Sequence, residues 1–165
     1  LKPVGGKRLS EKIKNGKAFV KPFLGATVEM LHQFHIQSHL IEGNIDSVVL
    51  MVGTNNIPKY NILANGKWEY EETEEEIVDK IMKLAEICNG RGINDIFINS
   101  IINRKNYTER VLVANYILKQ KCEENGFIYI DNDFIGESML ADGLHFNRDG
   151  VKVFSENLVK CINDY

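Results

Sequence analysis

The 165 residues are enough for one domain, and a hydrophobic content of 44% can close a single core. We therefore expect one domain over residues 1–165. With 20 basic and 23 acidic residues the net charge is −3, so no strong field of one sign covers the whole molecule and nucleic-acid binding is not indicated. No apolar run approaches the ~20 residues of a membrane span, so the sequence predicts a soluble protein.

Three cysteines, Cys88, Cys122 and Cys161, lie far apart on predicted helices. Their spacing is not that of a metal site, and their odd number does not favour a disulfide framework. We interpret them as free thiols packed like small apolar side chains. An odd count is more typical of a reducing compartment such as the cytoplasm.

Four short apolar runs predict β-strands. They are residues 17–23, 46–52, 95–101 and 127–130. Residues 48–52 are apolar at every position, which is typical of a parallel strand with both faces covered.

The segments between these runs have helical periodicity. The clearest helix begins after Thr73, which forms a capping-box sequence with Glu76, and ends at Asn89-Gly90. Asp149 is the expected N-cap of the C-terminal helix. Because strands and helices alternate, the sequence predicts an α/β protein, a three-layer α/β/α sandwich around a parallel sheet.

Residues 27–42 also have a helical pattern and carry His32, His35 and His39. His35 and His39 are one helical turn apart and could reach one metal ion. No cysteine or carboxylate of this stretch completes a ligand set. We therefore interpret it as a partly exposed helix face and predict no metal site.

In parallel α/β sheets, ligands bind beyond the carboxyl ends of the strands. Gly25 follows the first predicted strand, and Asn55 follows the second in the sequence Gly53-Thr54-Asn55. A glycine lets a backbone N–H approach a bound group, and an asparagine amide can donate to the same group. Both could therefore bind an oxyanion, but each is equally consistent with a turn or a loop cap.

Asp142 and His145 precede the C-terminal helix in the sequence Asp142-Gly143-Leu144-His145. A carboxylate that accepts from one ring nitrogen fixes the histidine tautomer and leaves the other nitrogen to take a proton from a nucleophile. The pair can thus be the base half of a hydrolytic triad. The alternative is that Asp142 closes a turn and His145 is a surface histidine.

In this order, the three segments resemble the SGNH hydrolase superfamily, also called GDSL esterases and lipases. Residues 23–28 resemble its glycine block, residues 142–147 resemble its Asp-x-x-His block, and residues 52–56 resemble its Gly-x-Asn-Asp block, with Asn56 where aspartate is common. The resemblance implies a flavodoxin-like α/β/α fold. It also implies a serine esterase that acts on an ester or acetyl group of a small molecule or carbohydrate, without metal or organic cofactor.

By this resemblance, His145 is the general base, Asp142 orients it, and Gly25 and Asn55 are oxyanion-hole donors. The family's nucleophile is a serine in a Gly-Asp-Ser block at the end of the first strand, and this sequence contains no such block. The first residues resemble the loop and helix that follow the block. We therefore expect the serine and the first strand to precede Leu1, and the chain alone to be almost inactive.

Two other interpretations remain. One is a non-catalytic binding module that keeps the fold and holds an acylated or carbohydrate ligand. The other is a nucleotide-binding flavodoxin-like domain, which the sequence disfavours because it lacks a Gly-x-Gly-x-x-Gly turn and a phosphate loop. Ser100 is the one internal serine at a predicted strand end, and we interpret it as a structural hydroxyl.

Overall fold

The computed structural model describes residues 25–34 and 45–165 of the chain. The helices are α1 (Val28–Phe34), α2 (Glu74–Gly90), α3 (Thr108–Asn125) and α4 (Arg148–Asp164), with one 3₁₀ turn at Glu137–Met139. The strands are β1 (Ser47–Leu50), β2 (Tyr60–Ile62), β3 (Trp68–Tyr70), β4 (Asp95–Asn99) and β5 (Ile128–Ile130). None of the helices within these ranges is long and apolar enough to cross a membrane.

Strands β1, β4 and β5 form a parallel sheet in the order β1-β4-β5. They confirm the strands predicted at 46–52, 95–101 and 127–130, each with shorter bounds. The fourth predicted strand, residues 17–23, lies outside the described residues. Since the strands are parallel, the loops after β1 and β4 leave the sheet at the same edge.

Helices cover both faces of the sheet, as the three-layer prediction requires. Side chains of a strand alternate between its faces, so Ile96 and Ile98 of β4 pack in the core with α2 and α3. Phe97, between them, packs on the opposite face with Leu158 of α4. Burying such a side chain stabilises the fold by roughly 1.5–3 kcal/mol, so this alternation fixes the register of β4.

The capping box at the start of α2 is confirmed. Thr73 Oγ1 accepts from Glu76 N at 3.2 Å, and Glu76 Oε2 accepts from Thr73 N at 2.7 Å. The prediction for α4 was wrong, because its N-cap is Asn147, whose Oδ1 accepts from Gly150 N at 2.9 Å. Asp149 lies inside the first turn instead, where a carboxylate faces the positive end of the helix dipole.

The antiparallel hairpin β2–β3 was not predicted. Its turn contains Asn65-Gly66, with Gly66 at φ +78° and Lys67 N donating to Asn65 Oδ1 at 3.0 Å. An Asn-Gly pair between apolar residues is a strong hairpin signal. The flanking strands have only three residues each, all exposed, so they lack the continuous apolar runs from which the other strands were predicted.

Gly150 is required where α4 begins, because a Cβ there would lie 2.3 Å from the backbone oxygen of Met139. We expect Gly150→Ala to lower the free energy of unfolding by about 1–3 kcal/mol through this overlap, measured by urea denaturation. Gly90→Ala is the matched control, since no heavy atom lies within 4 Å of its Cβ position. It should be neutral or stabilise by up to about 1 kcal/mol, and an equal effect of both substitutions would contradict the packing argument.

Candidate active site

Asp142 and His145 lie in a short loop that is closed at both ends. The strand-like bridge between Leu140 and Phe146 brings the ends together, with Ala141 N donating to His145 O at 2.7 Å. Asn147, the N-cap of α4, donates through its backbone N–H to Met139 O at 2.9 Å. The loop is therefore anchored to α4, and the helix determines where its side chains lie.

Within this loop the carboxylate of Asp142 binds His145 through both oxygens. Oδ2 lies 2.7 Å from His145 Nδ1, while Oδ1 accepts from the backbone N–H groups of Leu144 at 3.0 Å and His145 at 2.7 Å. The sequence placed these residues three apart, and the loop brings them into direct contact. Since the backbone bonds fix the carboxylate, the carboxylate can fix the ring.

The electrostatics favour a charged Asp142. Hydrogen bonds from the His145 N–H, from the imidazole and from the Leu144 N–H hold the pKa of this carboxyl far below its usual range. The side chains of His145 and Asp142 are 67% and 56% exposed, so the ring is open to solvent. Nε2 of His145 has no hydrogen-bond partner in residues 25–34 and 45–165. This nitrogen is available to exchange a proton.

The other two predicted site residues lie on neighbouring loops. Gly25, at φ +66°, comes just before α1 and is exposed. Asn55 follows β1, and its Nδ2 donates to the carbonyl of Ala26 at 3.0 Å. One Nδ2–H is used in that bond and the second remains for another acceptor. Gly25 and Asn55 are thus joined through Ala26.

Arg104, in the loop after β4, was not predicted. Its Nη1 donates to Thr54 O at 3.3 Å and to Asn55 Oδ1 at 3.4 Å. A donor at Oδ1 fixes the orientation of the Asn55 amide, so that Nδ2 faces Ala26. The next residue, Lys105, donates its backbone N–H to Gly143 O at 2.8 Å. The loop after β4 therefore connects the Asn55 loop to the segment that carries Asp142 and His145.

Asn56, like Arg104, has a structural role that was not predicted from the sequence. It is 1% exposed, and its Oδ1 accepts from Val28 N at 3.1 Å. Its Nδ2 donates to Glu72 Oε2 at 2.9 Å and to Glu29 Oε2 at 3.1 Å. Lys80 binds both carboxylates. This network anchors the start of α1, and hence Gly25 and Ala26, to the Asn55 loop.

Among the described residues, Asp142 is the one side chain that hydrogen-bonds the His145 imidazole, so no hydroxyl or thiol there is in contact with Nε2. Ser100 is 1% exposed, and its Oγ accepts from Asn132 N at 2.9 Å, which agrees with a structural hydroxyl. All three cysteines are free, as predicted. Burial raises the pKa of Cys88 to about 11 and that of Cys122 to about 12, so neither supplies a thiolate near neutral pH.

The part of the chain that the structure describes contains no group of three or more His, Cys, Asp or Glu side chains able to hold a metal ion. His32 is exposed on α1. His35 and His39, which raised the question of a metal site, lie outside the described residues.

Comparisons with known proteins identify the fold. No family model matches the sequence, and no curated protein matches it. An acetyl xylan esterase superposes with a TM-score of 0.67 at 14% identity, over 84% of this chain and 77% of the esterase. A GDSL-like lipase from Bacteroides thetaiotaomicron gives a TM-score of 0.65 at 16% identity, over 85% of this chain and 72% of the lipase.

A third structure, a member of the lipolytic G-D-S-L family from Veillonella parvula, gives a TM-score of 0.66 at 17% identity. The likeness covers 93% of this chain and 84% of that protein. The chain therefore has the α/β fold of the GDSL, or SGNH, hydrolases. The fold implied by its three sequence motifs is confirmed.

The Glu29–Lys80 pair predicts a specific pH dependence of stability. Burial by itself raises the pKa of Glu29, but hydrogen bonds from Lys80, its own backbone, Thr27 and Asn56 lower it from 4.5 to about 2. A folded-state pKa below the unfolded value means that the carboxylate stabilises the fold above about pH 4.5. That contribution is lost as the pH falls toward 2.

We expect Lys80→Met to reduce this loss, because Glu29 then lacks the cation that lowers its pKa. The measurement is the free energy of unfolding in urea at several pH values between about 6 and 2. Lys83→Met, at an exposed position of the same helix, should keep the wild-type pH dependence. An unchanged slope in Lys80→Met would show that the pair does not govern Glu29.

Proposed function

We propose that this chain is the larger part of a serine esterase domain that hydrolyses an ester or acetyl group of a small molecule or carbohydrate. The contact of 2.7 Å between His145 Nδ1 and Asp142 Oδ2, with Nε2 open to solvent, carries the proposal. It is supported by a fold shared with an acetyl xylan esterase and GDSL lipases. The nucleophile would be a serine of a Gly-Asp-Ser block that precedes Leu1.

In the proposed reaction, Nε2 of His145 takes the proton of the serine hydroxyl as its oxygen attacks the ester carbonyl. The resulting imidazolium is stabilised by Asp142, which stays ionised. His145 then gives the proton to the departing alcohol, and the acyl group remains on the serine. Water, deprotonated by His145, attacks this acyl-enzyme, and collapse of the second tetrahedral intermediate releases the acid and the serine.

The negative charge on the tetrahedral intermediate needs donors that are already in position. We assign this role to the backbone N–H of Gly25 and to the second Nδ2–H of Asn55. The bond from Nδ2 to Ala26 O, at 3.0 Å, supports the assignment because it ties the two donors together. Donors that are fixed before the reaction stabilise the developing charge without a cost of reorganisation.

His145→Ala should abolish hydrolysis of p-nitrophenyl acetate by the protein expressed from its complete coding sequence. The expected loss in kcat is on the order of 10⁴-fold or more, since the variant lacks the proposed general base. Release of p-nitrophenol measures the rate.

The matched control is His32→Ala, at an exposed histidine of α1, which should retain wild-type activity. Undiminished hydrolysis in His145→Ala would reject the triad. A wild-type protein that binds acylated ligands but does not hydrolyse them would instead be the binding module that shares this fold.

Asn55→Ala should lower kcat by about 10²–10³-fold, because one oxyanion donor is lost. KM should change much less, since the bond to the oxyanion forms in the transition state. Steady-state kinetics with p-nitrophenyl acetate separate the two constants. Asn61→Ala, an exposed asparagine on β2, is the control, and an equal loss in both variants would exclude an oxyanion role for Asn55.

A further inference from the structure

Arg104 is a half-buried arginine beside Asn55, the candidate oxyanion donor, and it forms no ion pair with the described residues. Its Nη1 is directed to two uncharged acceptors, Thr54 O and Asn55 Oδ1. Its Nε and Nη2 groups have no partner in residues 25–34 and 45–165, and no carboxylate there pairs with it. A guanidinium presents a planar fork of N–H donors that matches a carboxylate or phosphate.

Arg110, a structural arginine of the same fold, has partners that Arg104 lacks. It is 7% exposed, its Nε donates to Glu74 at 2.6 Å, and its other nitrogens bind the carbonyls of Ile57 and Glu72. Its guanidinium carbon also lies 3.7 Å from the centre of the Tyr70 ring. All three nitrogens of the Arg110 guanidinium therefore have a partner within the fold. Arg104 differs because three of its five N–H donors, on Nε and Nη2, have no partner among the described residues.

A second cation, Lys105, lies next to the segment that carries Asp142 and His145. Lys105 is exposed and forms no ion pair with any described residue, and its stem runs along Gly143. A Cβ at Gly143 would lie 2.7 Å from Lys105 Cβ, so the two residues are in close contact. Arg104 therefore flanks Asn55 while Lys105 flanks the Asp142–His145 segment.

We infer that the ester substrate carries an anionic group, a carboxylate or phosphate, next to the bond that is cleaved, and that Arg104 binds this group. The inference rests on the proposed esterase function. The one carboxylate of the site, Asp142, is engaged by His145, so the two neighbouring cations leave the site positive although the chain carries −3. A site of this charge attracts and orients an anionic ester more strongly than a neutral one.

The test compares pairs of substrates in which a carboxylate is replaced by its uncharged methyl ester. For an anion on the leaving group, kcat/KM is measured for p-acetoxybenzoate and for its methyl ester. For an anion on the acyl group, the pair is p-nitrophenyl hydrogen adipate and p-nitrophenyl methyl adipate. We expect the protein from its complete coding sequence to prefer the anion of one pair by about tenfold or more, equivalent to about 1.4 kcal/mol.

Arg104→Met should reduce that ratio to about one, and Arg104→Lys should keep part of it. The readout is the ratio of kcat/KM for the anionic substrate to kcat/KM for its methyl ester. Because Arg104 also orients Asn55, its substitution should lower the activity toward both substrates equally, and this common loss cancels in the ratio. The preference should also weaken between about 0.05 and 0.5 M salt. Lys83→Met, an exposed lysine on α2, should leave the ratio unchanged.

Binding of p-hydroxybenzoate and of its methyl ester, followed by NMR titration, separates this inference from the esterase function. Hydrolysis with no preference for the anion in either pair would overturn the anion site and leave the esterase intact. Binding of p-hydroxybenzoate that requires Arg104, in a protein that hydrolyses no ester, would uphold the anion site and reject the esterase. If the protein neither binds p-hydroxybenzoate nor hydrolyses an ester, both the anion site and the esterase function are rejected.

Discussion

The candidate site depends on the side chains of two consecutive asparagines after β1. Asn55 donates to Ala26 O at 3.0 Å, and Asn56 accepts from Val28 N at 3.1 Å, so together they hold the start of α1. Each hydrogen bond contributes only about 0.5–1.5 kcal/mol, but breaking one leaves a polar group without its partner, which costs more. The position of Gly25, one residue before Ala26, follows from this pair of contacts.

The presence of asparagine at position 56, where GDSL hydrolases commonly have aspartate, has a physical explanation in the surrounding charges. Glu29 and Glu72 both accept from the Asn56 amide, and one ammonium group, on Lys80, serves both carboxylates. An ionised aspartate has no donor to offer, so it would add a third negative charge to the cluster. The amide is therefore matched to its two acidic neighbours, and the departure from the motif leaves the Asn55 loop anchored.

The elements that could be predicted from the sequence are those whose cause is local. The Thr73–Glu76 capping box and the Asp142–His145 contact each join residues three apart, and the strand β4 follows from its continuous apolar run. The roles of Arg104 and Asn56 could not be predicted in this way. Their partners lie 16 to 50 residues away, so the contacts exist only after β1, β4 and α1 have come together.

The same distinction applies to charge, because a net value of −3 describes the chain and not its site. Some acidic side chains are paired with cations inside the fold: Glu74 binds Arg110, and Asp79 binds Lys121. Arg104 has no such partner among the described residues, and it lies at the sheet edge where ligands of parallel α/β folds bind. A negative net charge therefore does not exclude a local group of cations beside the candidate site. The distribution of the charges that remain after internal pairing determines what this edge of the sheet can attract.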